Sequence, residues 1–129
     1  MNNLNELSKQ IYKENKLRGF DVAKDNTGQV LMLVVSELAE ALEADRKNRY
    51  AGLVQFKQDM LEMNEFDDEN TFRKLAFEHN IKDTFQDEIA DAFIRLFDLC
   101  GGYDIDIEKH IELKRKYNST REFKHGKKY

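Results

Sequence analysis

Apolar residues recur along this chain at the three- and four-residue steps of a helix. From about Leu4 to Lys16, Leu4, Leu7 and Ile11 share one side, and the linker Arg18 to Asp25 that follows holds Gly19 and Phe20. Asp25, Asn26 or Thr27 can cap a second helix reaching about Lys47, whose stripe Leu31, Val34, Val35, Leu38 and Leu42 is expected to face a core. Asn48 to Asp83 is less regular. A short helix around Leu53 to Met63, an acidic loop Glu65-Phe66-Asp67-Asp68-Glu69 and a helical turn or two around Phe72 to Phe77 read together as an insertion or lid at about residues 48–83. A stronger helix is expected from about Thr84 to Cys100, with Gly101-Gly102 as its stop. A last helix then runs from Asp104 or Asp106 to about Asn118, with a further turn to Arg121 before an extended tail at about 119–129.

The absence of proline, the small number of glycines (six) and the wealth of Leu, Ala, Glu and Lys make the expected fold all-α. A chain of 129 residues, 40% hydrophobic and 36% charged, suits a single domain with a modest core of four to five helices, completed by association with a partner subunit. The opening stretch Met1 to Gln10 lacks the basic-then-apolar pattern of a signal peptide. No apolar run approaches the roughly 20 residues that span a bilayer, so no membrane role is expected and the cytoplasm is the default location. Cys100, which follows Leu96, Phe97 and Leu99, reads as a small core residue.

Charge is unevenly spread. Lys109 to Tyr129 carries eight Lys or Arg against two Glu, which, for a chain of net charge −4, leaves the first 108 residues at about −10. A basic end with Tyr117, Phe123 and Tyr129 among its lysines imitates a nucleic-acid arm, but an acidic body repels a polyanion, so nucleic acid is an unlikely partner. A small phosphorylated substrate bridged by a metal accounts for both signs.

Two carboxylate pairs, Glu37-x-x-Glu40 and Glu88-x-x-Asp91, bear on that metal. With Glu37 at 0° on a helical wheel of about 100° per residue, Leu33 falls at about 320°, Val30 at about 20° and Ala41 at about 40°, so Glu37 has apolar flanks and Glu40 sits at the edge of the arc, at about 300°. With Glu88 at 0°, Leu99, Ala92 and Phe85 fall at about 20°, 40° and 60°, and Asp91 again at about 300°. A carboxylate among apolar neighbours is costly unless it meets a cation, and oxygen ligands without a placed His or Cys favour Mg²⁺, with Mn²⁺ as a substitute. The competing reading is two solvated acidic faces. A di-iron bundle would need Glu-x-x-His motifs facing a core, and Glu122-Phe123-Lys124-His125 lies in the polar tail. His79, His110 and His125 have no spacing that recommends them as ligands.

On the last helix, Lys114, Asn118 and Arg121 continue the stripe begun by Ile107 and Ile111, which turns cationic in the manner suited to phosphate oxygens. The plain alternative is a helix end made basic to suit its dipole.

On these residues the chain resembles the MazG-like group of all-α nucleoside triphosphate pyrophosphohydrolases. The likeness rests on Ser36-Glu37-Leu38-Ala39-Glu40-Ala41-Leu42-Glu43, on Asp87-Glu88-Ile89-Ala90-Asp91-Ala92-Phe93, and on Lys114 through Asn118 with Arg121 and Gly126-Lys127 beyond. It covers about residues 26–48 and 82–129. One departure is the 47 residues, Ala41 to Asp87, between the acidic pairs, more than compact members have. The resemblance implies a homodimer or homotetramer that cleaves a nucleoside triphosphate to its monophosphate and pyrophosphate. It further implies Mg²⁺ on Glu37, Glu40, Glu88 and Asp91 as the catalytic carboxylates, and phosphate on Lys114, Asn118, Arg121 and Lys127. A catalytically silent nucleotide-binding or protein-interaction module on the same helices is the alternative function.

Overall fold

The computed structural model describes residues 3–23 and 25–128, so Tyr129, one of the aromatics of the basic end, lies outside the described residues. Among the described residues the chain is all-helical: α1 (Leu4–Leu17), α2 (Thr27–Arg46), α3 (Leu53–Leu61), α4 (Glu69–Asn80), α5 (Phe85–Gly102) and α6 (Ile107–Ser119), followed by a 3₁₀ turn at Phe123–Gly126. No helix among the described residues is long and apolar enough to cross a membrane. The chain forms two compact units. One is built from the two ends, up to Thr27 and from Leu96 onward, and the other from Gly28–Arg95.

In the unit built from the ends, α1 packs on α6. The backbone N–H of Leu4 donates to Glu108 Oε1 at 2.7 Å, and Asn5 Nδ2 donates to Asp106 Oδ1 at 2.8 Å. Asn3 caps α1 and Asp106 caps α6, each side chain accepting from the N–H three residues on and satisfying a donor that the first helical turn leaves free. The last turn of α5 meets α1 backbone to backbone at Gly101. A Cβ on Gly101 would lie 2.2 Å from the carbonyl oxygen of Ser8, and one on Gly102 would lie 2.5 Å from Cγ2 of Val22. The glycines therefore lie inside the helix, where they permit close approach, and do not stop it as expected. The stop is Asp104 (φ 51°), with Ile105 N–H returning to Cys100 O at 2.9 Å and Asp104 N–H to Gly101 O at 3.3 Å. Gly19 (φ 96°) closes α1 by the same pattern. Cys100 is buried, as expected of a small core residue.

In the Gly28–Arg95 unit, α3 and α4 form a helical pair fastened by Asn80, whose Nδ2 donates to Asp59 Oδ2 at 2.7 Å and whose carbonyl accepts from Gly52 N–H at 2.9 Å. The stretch read as an insertion or lid thus holds two helices, and the turn or two foreseen at Phe72 to Phe77 is a twelve-residue helix, capped by Asp68. With α4 counted there are six helices among the described residues, where four to five were expected. The segment leaving α2 is tied to the start of α5: Phe85 N–H donates to Arg49 O at 2.9 Å, Ala51 N–H to Gln86 Oε1 at 2.8 Å, and the Tyr50 and Phe85 rings meet edge to face.

The buried face of α2 differs from the expected one. Val30, Val34, Glu37, Ala41 and Ala44 are buried, whereas Leu31, Val35, Leu38 and Leu42 remain between 45 and 52% exposed. The reason is the width of the apolar arc. Val30, Val34, Ala41 and Ala44 fall within about 60° of Glu37 on the wheel, and the four larger side chains cluster at about 100–160°, so the whole arc is broader than one packing partner covers. The side with small residues is the one that packs, because alanine lets a neighbouring helix come close. Two further differences lie at the C-terminal end: α6 stops at Ser119, so Arg121 stands beyond the Thr120 cap, and a 3₁₀ turn replaces part of the extended tail.

Candidate metal centre

Glu37 and Glu40 come from the middle of α2, and Glu88 from the first turn of α5. The bonds between Arg49–Ala51 and Phe85–Gln86 bring those two stretches side by side, and one carboxylate oxygen from each of Glu37, Glu40 and Glu88 lies within 4.8 Å of the others. Glu37 and Glu88 are buried and Glu40 is exposed. The set is buried on the protein side and open at Glu40, as the wheel positions of the two glutamates on α2 lead one to expect.

Asp83 and Asp87, which the sequence pattern had not singled out, form a second such group with Glu88. Asp83 occupies the left-handed region (φ 60°) just before α5, and its N–H donates to Asp87 Oδ2 at 2.9 Å. A signal was present in the sequence, since Asp83, Asp87 and Asp91 repeat at the four-residue helical step. Asp91 belongs to neither group of three, although it lies near enough for the charges of Asp87 and Glu37 to act on it.

Crowded carboxylates hold on to protons. Burial, followed by the charges of Glu40, Asp91, Glu37 and Asp87, pushes Glu88 up to about 7. Asp91 is raised chiefly by burial and then by Asp87 and Glu37. Glu40 is raised first by its hydrogen bond with Glu37, then by burial and by the charge of Glu37. Burial pushes Glu37 upward as well, but hydrogen bonds from Arg95 and Glu40 outweigh it and leave Glu37 below the ordinary carboxylate value.

Arg95 is a further residue that sequence reasoning missed. Its Nε donates to Glu37 Oε1 at 2.6 Å. It stands seven residues beyond Glu88, within about 20° of it on the wheel, which was the available signal.

Chemically, the donors fit a hard divalent cation. They are all carboxylate oxygens, they come from two helices fixed against each other, and they are close enough to share one ion. Bringing them together without positive charge is unfavourable, and the Arg95 guanidinium supplies some of that charge at Glu37.

The expected phosphate ligands belong to the other unit. Lys114 and Arg121 flank the same ring, with Lys114 Nζ 5.1 Å and Arg121 Cζ 5.6 Å from the centroid of Tyr117. Asn118 has its Oδ1 buried without a hydrogen-bond partner among the described residues, and Lys127 is exposed. Elsewhere in the Gly28–Arg95 unit, Phe72 lines an open groove of about 430 Å³ with Asp59, Glu62, Leu75, Ala76 and His79. Comparison of the chain with protein-family models, curated proteins and solved structures found no match to any of them.

Proposed function

We propose that this protein is a Mg²⁺-dependent nucleoside triphosphate pyrophosphohydrolase of the MazG-like kind, converting a ribo- or deoxynucleoside triphosphate to its monophosphate and pyrophosphate in cleansing or control of the cellular nucleotide pool. The observation that carries this reading is the meeting of Glu37, Glu40 and Glu88, from motifs almost fifty residues apart in sequence, with oxygens within 4.8 Å of one another. A solvated acidic face would not need to bury two of the three.

In this reading Glu37, Glu40 and Glu88 hold the ion, and Asp91 completes the set. Bound Mg²⁺ supplies neutralisation of phosphate charge and a more acidic water. A carboxylate of the cluster that the ion leaves free accepts the proton of the attacking water, while the apolar flanks Val30 and Ala41 limit the solvent around Glu37. Lys114, Asn118, Arg121 and Lys127 are assigned to phosphate oxygens by the resemblance. The uncovered stripe Leu31, Val35, Leu38 and Leu42 has the alternating four- and three-residue spacing of a helix–helix seam, and a second copy of the chain in a homodimer or homotetramer is its proposed cover.

The test is a panel of ribo- and deoxynucleoside triphosphates incubated with Mg²⁺ or Mn²⁺, with products separated by chromatography. Monophosphate and pyrophosphate in equal amounts are expected from at least one of them. Release of orthophosphate instead, or no product from a protein whose circular dichroism and melting are those of a folded helical chain, overturns the assignment. Metal-dependent nucleotide binding without product would establish the silent module in its place.

A further inference from the structure

Arg95 has no task in the pyrophosphohydrolase reading as stated, yet it is the cation held against the carboxylates. It lies one helical turn beyond Asp91 on α5, and a single N–H, that of Nε, makes the 2.6 Å bond to Glu37 Oε1. The side chain is 37% exposed, whereas that of Glu37 is 10% exposed, so the guanidinium is anchored at a buried oxygen while part of its surface faces solvent. Guanidinium is a planar fork with five donors, suited to paired oxygens of a carboxylate or phosphate. A pair made only to hold two helices together would be expected to use the fork in bidentate fashion; this one leaves the terminal amino groups out of the Glu37 bond.

A divalent ion on the cluster draws on the same Glu37 carboxylate and places two positive charges beside the guanidinium. Either charge alone suits Glu37, and together they repel. A polyphosphate arriving with the ion offers anionic oxygens at the moment when Glu37 no longer needs Arg95. We propose that Arg95 is an exchangeable cation: it neutralises Glu37 before the metal binds, then passes to a non-bridging oxygen of the metal-bound polyphosphate, coupling metal and phosphate binding through one side chain. This inference rests on the reading of Glu37, Glu40 and Glu88 as a metal site. It adds a phosphate-binding residue from the carboxylates' own unit to those assigned by the resemblance.

Exchange makes opposite predictions for the two ligands, which a merely cementing ion pair does not. Mn²⁺ binding by the full chain is measured by the loss of free-ion electron paramagnetic resonance signal, first alone and then with inorganic tripolyphosphate titrated in under excess Mn²⁺. Arg95→Gln is expected to bind Mn²⁺ alone about 5-fold or more tighter than the parent, since a competing charge is gone. The same variant is expected to bind tripolyphosphate about 10- to 150-fold more weakly, the loss of a charged hydrogen bond to phosphate. Arg95→Lys, which keeps the charge without the fork and guards against a folding failure, is expected to match the parent for Mn²⁺ and to be weakened for tripolyphosphate. Unchanged or weaker Mn²⁺ binding by Arg95→Gln, or tripolyphosphate affinity untouched in both variants, overturns the exchange. A parent chain that binds no Mn²⁺ overturns the metal site together with it. Mn²⁺ binding that disappears in Glu37→Gln but is indifferent to Arg95 leaves the site standing and removes the exchange alone.

Discussion

The two faces of α2 invert the usual order of a globular protein. One buries a glutamate among Val30, Val34, Ala41 and Ala44, and the other leaves Leu31, Val35, Leu38 and Leu42 half exposed. Hydrophobicity alone would have turned the helix the other way, because burying a leucine is worth about 1.5–3 kcal/mol and an unpaired carboxylate is costly to bury. Two things tip the balance. The alanines keep the inner face narrow, and the carboxylate is met there by the Arg95 guanidinium and lies beside Glu40, whose own pKa is raised. The inner face is organised around a charge, and the outer face is apolar surface left half exposed.

The comparison is broken most directly on the inner side. Glu88→Gln is expected to reduce nucleotide turnover to background by removing a ligand. Assayed without metal at pH 8, the same variant should melt higher than the parent, which must carry a crowded negative charge on Glu88 above about 7. Turnover close to that of the parent would mean that the buried carboxylates serve no ion.

On the outer side, Leu38→Asp is expected to weaken self-association by about 100-fold, read as a shift to monomer in sedimentation velocity, since an isolated charge in an apolar seam finds no partner. A parent chain that sediments as a monomer throughout the micromolar range would assign the outer face to some other cover.

Packing sharpens the contrast without chemistry. Ala44 is fully buried, so Ala44→Leu should cost about 1–3 kcal/mol in denaturant unfolding by forcing its neighbours apart. Leu42→Gln, two residues away on the half-exposed side, should change the stability of the monomeric chain by no more than about 0.5 kcal/mol. Equal costs at the two positions would show that the faces do not differ in packing.

A further effect is one of pH. Glu88 has a native value of about 7 against an ordinary 4.5, so between those limits the native chain keeps a proton that the unfolded chain releases. Its contribution to the stability of the metal-free protein is complete below about 4.5 and is lost as pH rises through about 7. Glu37, lowered by Arg95, contributes in the opposite sense and only in more acid solution, where it is lost as pH falls. Melting temperature from pH 5 to 7.5 should therefore decline more steeply for the parent than for Glu88→Gln. Parallel curves would place Glu88 among ordinary carboxylates.

Much of this was legible in the sequence, and the failures have physical causes. Helix periodicity placed α1, α2, α5 and α6 to within a few residues, and the wheel positions of Val30 and Ala41 foretold a glutamate on a buried face. The same wheel misassigned Leu31, Val35, Leu38 and Leu42, because periodicity finds the widest apolar stripe and does not say which part of it the neighbouring helices cover. In α4 the run Glu69–Asn80 begins inside the acidic stretch that read as a loop, and the cap at Asp68 was the signal that a helix starts there. Gly101-Gly102 carried two meanings, a helix end or a close approach, and only the position of Ser8 decides between them. Asp83, Asp87 and Arg95 went unnoticed because a cap residue and a lone arginine acquire significance from what faces them across space.

The contact between Gly101 and the Ser8 carbonyl sets a limit on the evolvability of α5. If the last two turns of that helix were randomised and folded variants selected, position 101 should return glycine almost alone, since even the methyl of alanine would lie against a main-chain atom that cannot rotate aside. Position 102 faces a valine methyl and the Tyr12 ring, both of which belong to side chains, and small residues there could be rescued by a smaller partner at Val22. Two adjacent glycines, identical to any count of composition, would thus differ sharply in their substitution spectra.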